Sequence, residues 1–291
     1  MASIYFSYAD LTQLKNRVGA TDTDDDTELR RNLESASEFI NDFCRRHFYV
    51  ETATRYFDGR AGLQTVLDRY TEEVTKYTSD LWIDDLLSVD TISMDTDHDG
   101  DWEDELVSTD YILWPWNDWP KTRIDLDLRQ GNYYYWAAGQ QAVAIEGEWG
   151  YGDGRSATPY ASSGGTVTVA NASSTSVAAS DGDLFAICQT ILAGSEQMYI
   201  TGISADTLTV VRGVNGTTAA AQNAATAYIY RYPYRVTEAC LLQAFRWYKR
   251  ADAPFGVAGP NVFGTQVLLS QLDPDVKAAL QPFVRPLLMA V

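Results

Sequence analysis

Cysteine is scarce and scattered. Cys44, Cys188 and Cys240 lie far apart along the 291 residues, so neither a disulfide framework nor a paired-thiol metal knuckle is expected, and a reducing compartment fits best. Histidine is rarer still: His47 and His98 are the only two, and a two-histidine zinc site would have to bring a helix end to a loop tip. No apolar run approaches the roughly 18 residues that a bilayer span requires. The opening MASIYFSYAD has neither the basic start nor the apolar stretch of a secretory leader. A soluble intracellular protein without a membrane partner is therefore expected.

Catalytic signatures are also missing. There is no GxSxG elbow, GxxxxGK[ST] loop, GxGxxG turn or HExxH helix, which leaves nucleophilic, nucleotide and zinc-hydrolase chemistry without residues to carry it. Acidic side chains are so common that paired carboxylates nominate no particular glycosidase pair. No enzymatic activity and no cofactor are expected. Positive charge is short as well. Lys and Arg number 22 against 40 Asp and Glu, a formal net charge of −18, which argues against a surface that grips DNA but permits one past which DNA slides.

What is present suggests a mixed α+β chain. In YADLTQLKNRV, residues 8–18, Leu11, Leu14 and Val18 share a helical face, with Ser7 or Asp10 as caps and Gly19 as the stop. The acidic TDTDDD then leads into a second helix over 27–47, where Leu29, Leu33, Ala36, Ile40, Phe43 and Cys44 repeat at helical spacing. Arg45, Arg46 and His47 are expected to close it against the macrodipole. From Val50 to Tyr151, VETATRYF, LLSVDTISM, ELVSTDYILW, TRIDLDL and QAVAIEGEWGY read as strands of an antiparallel sheet. Leu63, Leu67, Tyr70, Val74 and Tyr77 fit an amphipathic helix, the preferred reading there, although Thr, Val and Tyr at 71–78 also suit a strand.

Residues 161–232 stand apart, with only six charged residues. TVTVA, LFAIC, QMYITGI, TLTVVRG and AYIYRY, with turns at Gly and at Asn215-Gly216, predict a small β-barrel or sandwich. A flexible Gly/Ser/Ala linker is the alternative for 161–165 and 171–180. Helical spacing returns over 235–250, where Cys240, Leu241, Ala244, Phe245 and Tyr248 line one face. The remaining tail has prolines at 254, 260, 274, 282 and 286, too many for one helix, with Asp273 placed to cap a short helix that starts at Pro274. So apolar a C-terminal arm suggests docking on a partner.

Two motifs need weighing. In DTDHDGDWED, residues 95–104, Asp95, Asp97, Asp99 and Gly100 match the first half of a calcium loop, but position 12 is Leu106 rather than glutamate and both flanks read as strands. A hairpin tip is the preferred reading. The aromatic clusters WPWNDW (114–119) and YYYW (133–136) suit either a stacking platform for sugar or single-stranded nucleic acid, or wedges that hold loops and subunits together; the wedge reading is preferred.

The order of segments resembles the head-to-tail connector (adaptor, or head-completion) family of tailed bacteriophages. The likeness is carried by YADLTQLKNRVG with ELRRNLESASEFINDFCRR, by LLSVDTISMDTDHDGDWEDELVSTDYIL, by AVAIEGEWGYGD, and by VTEACLLQAFRWYKRADAPFG with LDPDVKAALQPF. It implies a connector core of residues 1–160 and 233–291, into which residues 161–232 are inserted where family members pass almost directly from strand to helix. The insert resembles small β modules of phage virion proteins.

The resemblance also implies a ring, commonly a dodecamer, under the portal protein and assembled in the host cytoplasm. Double-stranded DNA would pass through its lumen without specific binding, and a stopper or tail terminator would lie on the tail side. On that reading the helices form the ring body, and the sheet hairpins face the tail-side protein. The arm 273–291 reaches the portal through Asp273, Pro274, Asp275, Phe283, Arg285, Pro286, Leu287 and Leu288. Arg246, Trp247, Lys249 and Arg250 are the subunit-interface candidates. The alternative is a carbohydrate- or receptor-binding virion module that uses the β insert and the aromatic loops.

Overall fold

The computed structural model describes residues 4–59, 79–250 and 273–286, together with the backbone of 64–66, 74–76, 257–258 and 267–268. Two helices open the chain. In α1 (Leu11–Val18) the Asp10 carboxylate accepts from the Gln13 N–H while the Gln13 side chain accepts from the Asp10 N–H, and Gly19 closes the helix at φ 80°. Helix α2 (Asp26–Cys44) ends three residues before the expected limit. Arg45 adopts a left-handed φ of 55° and donates its N–H to Asn41, so the basic residues 45–47 fall beyond the last turn.

Strands β1 (Glu51–Gly59), β2 (Gln64–Val66), β3 (Val74–Lys76), β4 (Asp80–Met94), β5 (Asp104–Glu105), β6 (Tyr111–Trp114), β7 (Lys121–Leu126) and β8 (Gly139–Trp149) follow. The helix expected over 63–77 is corrected: β2 and β3 pair antiparallel, with Gln64 opposite Lys76 and Val66 opposite Val74. Their β-branched Thr65, Val66, Val74 and Thr75 favour extended backbone, and this outweighs the coincidental helical spacing of the larger side chains.

The main sheet is antiparallel in the order β1-β8-β4-β7-β6, with β5 beside the far end of β4. Its inner face buries Leu81, Ile83, Leu86, Ile92, Ile124, Val143, Ile145, Trp136 and Trp149. The segment read as one strand over 105–114 is two. Asp110, 1% exposed, accepts from the Val107 N–H through one oxygen and from the Asn132 backbone and side chain through the other, which turns the chain between β5 and β6.

Strands β9 (Tyr160–Val169), β10 (Ser176–Ala179), β11 (Thr190–Ala193), β12 (Glu196–Ser204), β13 (Thr207–Val211) and β14 (Gln222–Tyr230) close a six-stranded barrel in the order β10-β13-β12-β11-β14-β9. Both stretches for which a linker was the alternative are in strands or turns of this barrel. Val167, Val177, Ile191, Met198, Ile200, Leu208 and Val210 fill it. Helix α3 (Tyr234–Arg250), the short pair β15 (Val257–Ala258) and β16 (Val267–Leu268), and helix α4 (Pro274–Leu280) complete the chain. Asp273 caps α4 by accepting from the Asp275 N–H, with Pro274 at the first helical position.

By compactness, residues 1–49 and 159–291 form one unit and residues 50–158 a second. The barrel thus groups with the helices rather than standing off alone. Within the first unit the Tyr199 hydroxyl donates to Glu34 of α2 at 3.0 Å, the Tyr5 N–H to the Asn215 side chain at 3.1 Å, and the Leu11 N–H to the Ile187 carbonyl at 3.0 Å. Leu14, Leu29, Leu33, Ala36, Ile40, Val236, Cys240, Ala244, Val276 and Leu280 are fully buried between the helices.

Candidate functional surfaces

The arm residues lie on the body of their own chain. Val276 and Leu280 of α4 are buried, the Phe283 ring meets Phe48 edge-on at 5.6 Å, and the Arg285 N–H donates to the Cys44 carbonyl at 2.9 Å. Asp275 and Pro286 are exposed, while Leu287 and Leu288 lie outside the described residues. Arg246 and Asp273, assigned from sequence to two different interfaces, pair with each other at 3.2 Å. Trp247 packs edge-on against Phe39 at 6.0 Å, and the Lys249 ammonium lies over the Tyr248 ring at 5.4 Å. Arg250 ends α3 half-buried. Apart from the neighbours Lys249 and Tyr248, these pairings join positions about 27 to 241 residues apart, which is why sequence periodicity did not reveal them.

The acidic loop between β4 and β5 places carboxylate oxygens of Asp95, Asp97 and Asp99 within 4.8 Å of one another. Hard oxygen donors at that spacing suit a cation such as calcium, which takes six to eight of them. Here the loop spends several on itself. Asp95 accepts from the His98 and Gly100 N–H groups, Asp97 from that of Asp99, and Asp99 from that of Asp101. At position 12, Leu106 is 4% exposed in the sheet core, so no side chain from there can close a calcium loop. The flanks are strands β4 and β5, as the tip reading expects.

The aromatic clusters divide by role. Trp119 donates its indole N–H to the Leu87 carbonyl and Trp136 donates to that of Ser79, the latter side chain 1% exposed; these two act as wedges. Trp116, Tyr134 and Tyr135 instead stand 61%, 61% and 58% exposed. Sequence reading missed Trp82, 53% exposed on β4, because it lies in a segment placed before the first residue of the expected strand. Lys121 holds the 115–120 loop, its ammonium donating to the Pro115, Trp116 and Asp118 carbonyls and lying 4.1 Å from the Trp119 ring.

The three cysteines are buried thiols. Burial pushes Cys44 up to about 11 and Cys188 and Cys240 up to about 12, so all three stay protonated at neutral pH and lack the thiolate a nucleophile needs. No helix among the described residues is long and apolar enough to cross a membrane.

No family model and no curated protein matches the chain. Among solved structures, a chain of one described as "Neck of empty GTA particle computed with C6 symmetry" is similar, with 12% identity and a TM-score of 0.37 over 98% of this chain and 93% of that one. A likeness of that size carries no argument about function.

Proposed function

We propose that this chain is a structural protein of the neck of a tailed-phage particle, forming a ring, dodecameric by family habit, that joins the portal to the tail and continues the DNA channel. One observation carries the reading: the helical segments that resemble the connector family come together within one unit, and the two strand segments that resemble it pair within the other. Helices α1, α2, α3 and α4, drawn from both ends of the sequence, pack into one body. Strands β4 and β8, from the two middle segments, are hydrogen-bonded neighbours, with Ile92 opposite Ile145. A copy presenting different faces to its two neighbours closes into a ring when the rotation between them permits. Each copy adds a net charge of −18 to the assembly, so a lumen lined by such subunits repels phosphates instead of holding them.

Chemistry plays no part in this reading, and neither an enzyme activity nor a cofactor is assigned. Because 273–286 is engaged by the chain's own helices, contact with the portal is assigned to the residues beyond Pro286 and to exposed positions of α4. The test is negative-stain microscopy of the purified protein, alone and mixed with its portal, followed by imaging of intact particles. Closed rings at the junction of head and tail, with the portal's rotational order, are expected. A location elsewhere on the particle, or a copy number incompatible with the portal, overturns the proposal.

A further inference from the structure

The start of helix α3 carries charge where a helix is least suited to it. Arg231 lies just before the helix and Arg235 in its first turn, both exposed, and that turn contains no acidic residue. Cations there face the positive end of the macrodipole and weaken the helix. The acid within helical reach of Arg235 is Glu238, but Arg17 holds it at 2.6 Å. Neither Arg231 nor Arg235 enters an ion pair among the described residues. Between them stands Tyr234, 81% exposed, more than any other large aromatic or aliphatic side chain described. Helix energetics alone do not account for such an edge, whereas arginine and tyrosine are the residues enriched where proteins meet.

The other unit carries the complement. On the β4–β5 loop and on β5, Asp97, Asp99, Asp101, Glu103 and Glu105 are all exposed, and none has a basic partner among the described residues. Asp95, Asp97 and Asp99 shape the loop by accepting from its N–H groups. Asp101, Glu103 and Glu105 are left without an internal partner for their carboxylates among the described residues. Beside them the Tyr56 ring of β1, 47% exposed, lies 4.7 Å from that of Trp102 in the same loop. An acidic tip flanked by an aromatic pair thus matches a basic edge centred on a tyrosine.

We infer that these surfaces are the two halves of one contact between copies: the edge formed by Arg231, Tyr234 and Arg235 receives the acidic tip 97–105 of a second copy. The inference rests on the ring proposed above and supplies one of its contacts. Because the two surfaces differ, the contact is head-to-tail, the kind that closes into rings. Copies that each carry a net charge of −18 repel one another overall, and local pairing of opposite charges offsets that repulsion and fixes which faces meet. Duplex DNA fits the edge less well, since two arginines on so acidic a chain neutralise few phosphates.

The test is sedimentation velocity of the full chain, alone and in the presence of portal. It compares wild type, the double variant Arg231→Glu with Arg235→Glu, the triple variant Asp101→Lys with Glu103→Lys and Glu105→Lys, and an equal mixture of the two variants. All five positions are exposed, so both variants should melt as wild type does. Each variant by itself should associate roughly a hundredfold more weakly or worse, because like charges forced together across an interface cost several kcal/mol. The mixture should recover association, since reversed edge meets reversed tip and native edge meets native tip. Tyr234→Ala should weaken association by about tenfold. Undiminished association of either variant overturns the contact and leaves the ring standing, and so does a loss that the mixture fails to restore. Arginine-dependent binding of a DNA duplex at physiological salt, with self-association unchanged, assigns the edge to phosphates and overturns the contact. A wild-type chain that stays monomeric both alone and with portal overturns the contact together with the ring.

Discussion

Glu196 and Arg212 show how a single pair sets the shape of the barrel's end. Their side chains are 0% and 6% exposed, and they meet at 2.6 Å. Glu196 also accepts from the Gly213 and Ala220 N–H groups, and Arg212 donates to the Asn171, Ser174 and Ala220 carbonyls, so one ion pair pins both the β9–β10 loop and the β13–β14 loop. A buried pair of this kind costs much to desolvate and contributes chiefly when complete. Arg212→Met leaves the Glu196 carboxylate buried without its counter-ion and is expected to cost about 3–5 kcal/mol in denaturant unfolding. Replacing both residues by methionine should cost less than that single change. These were two of only six charged residues in their segment, yet nothing in the spacing of 196 and 212 announced a contact: they sit on β12 and just past β13, and only the closed barrel brings them together.

At the scale of elements, α4 is the instructive case. Asp273 as cap and Pro274 at the first turn were readable in the sequence, because capping and proline geometry are local. The surface on which the helix docks was not readable, since a seven-residue helix offers too little pattern to choose between its own body and a partner. Truncation after Leu272 removes the fully buried Val276 and Leu280 and uncovers α2 and α3. Its melting temperature should fall by more than about 5 °C, each such side chain being worth on the order of 1–3 kcal/mol. Truncation after Pro286 should leave the thermal melt unchanged while abolishing co-purification with portal, and a retained complex would remove the arm from the docking role. The β2–β3 pair teaches the complementary lesson, for short β-branched runs carry a strand preference that a helical stripe drawn over the same residues conceals.

For the whole molecule, the composition shift at 161–232 marked the barrel well, its strands running from Tyr160 to Tyr230, but not the way the barrel packs. Tyr199 reaches Glu34, Asn215 receives the Tyr5 N–H, and the Tyr5 and Tyr199 rings lie 5.7 Å apart. Replacing residues 161–232 by a short Gly/Ser linker should therefore loosen the helical body, seen as lost hydrogen-exchange protection in α1 and α2. Native protection in that deletion would show the barrel to be an appendage. The acidic loop at 95–104 and the cross-strand row of Trp82, Arg123 and Trp114 belong to the other unit, and each was half legible. The loop's turn residues were explicit in the sequence, whereas the row needed the strand register that sets its three residues side by side.

The sequence by itself determined what depends on neighbours a few positions away: helix caps, amphipathic faces, turn residues, the charge balance and the lack of catalytic motifs. Tertiary structure alone decided where the terminal helix docks, which ions pair, and which aromatics are wedges and which are displayed. Those outcomes rest on contacts between residues far apart in the chain, whose geometry follows from strand register and barrel closure, and neither leaves a periodic signature in the order of amino acids.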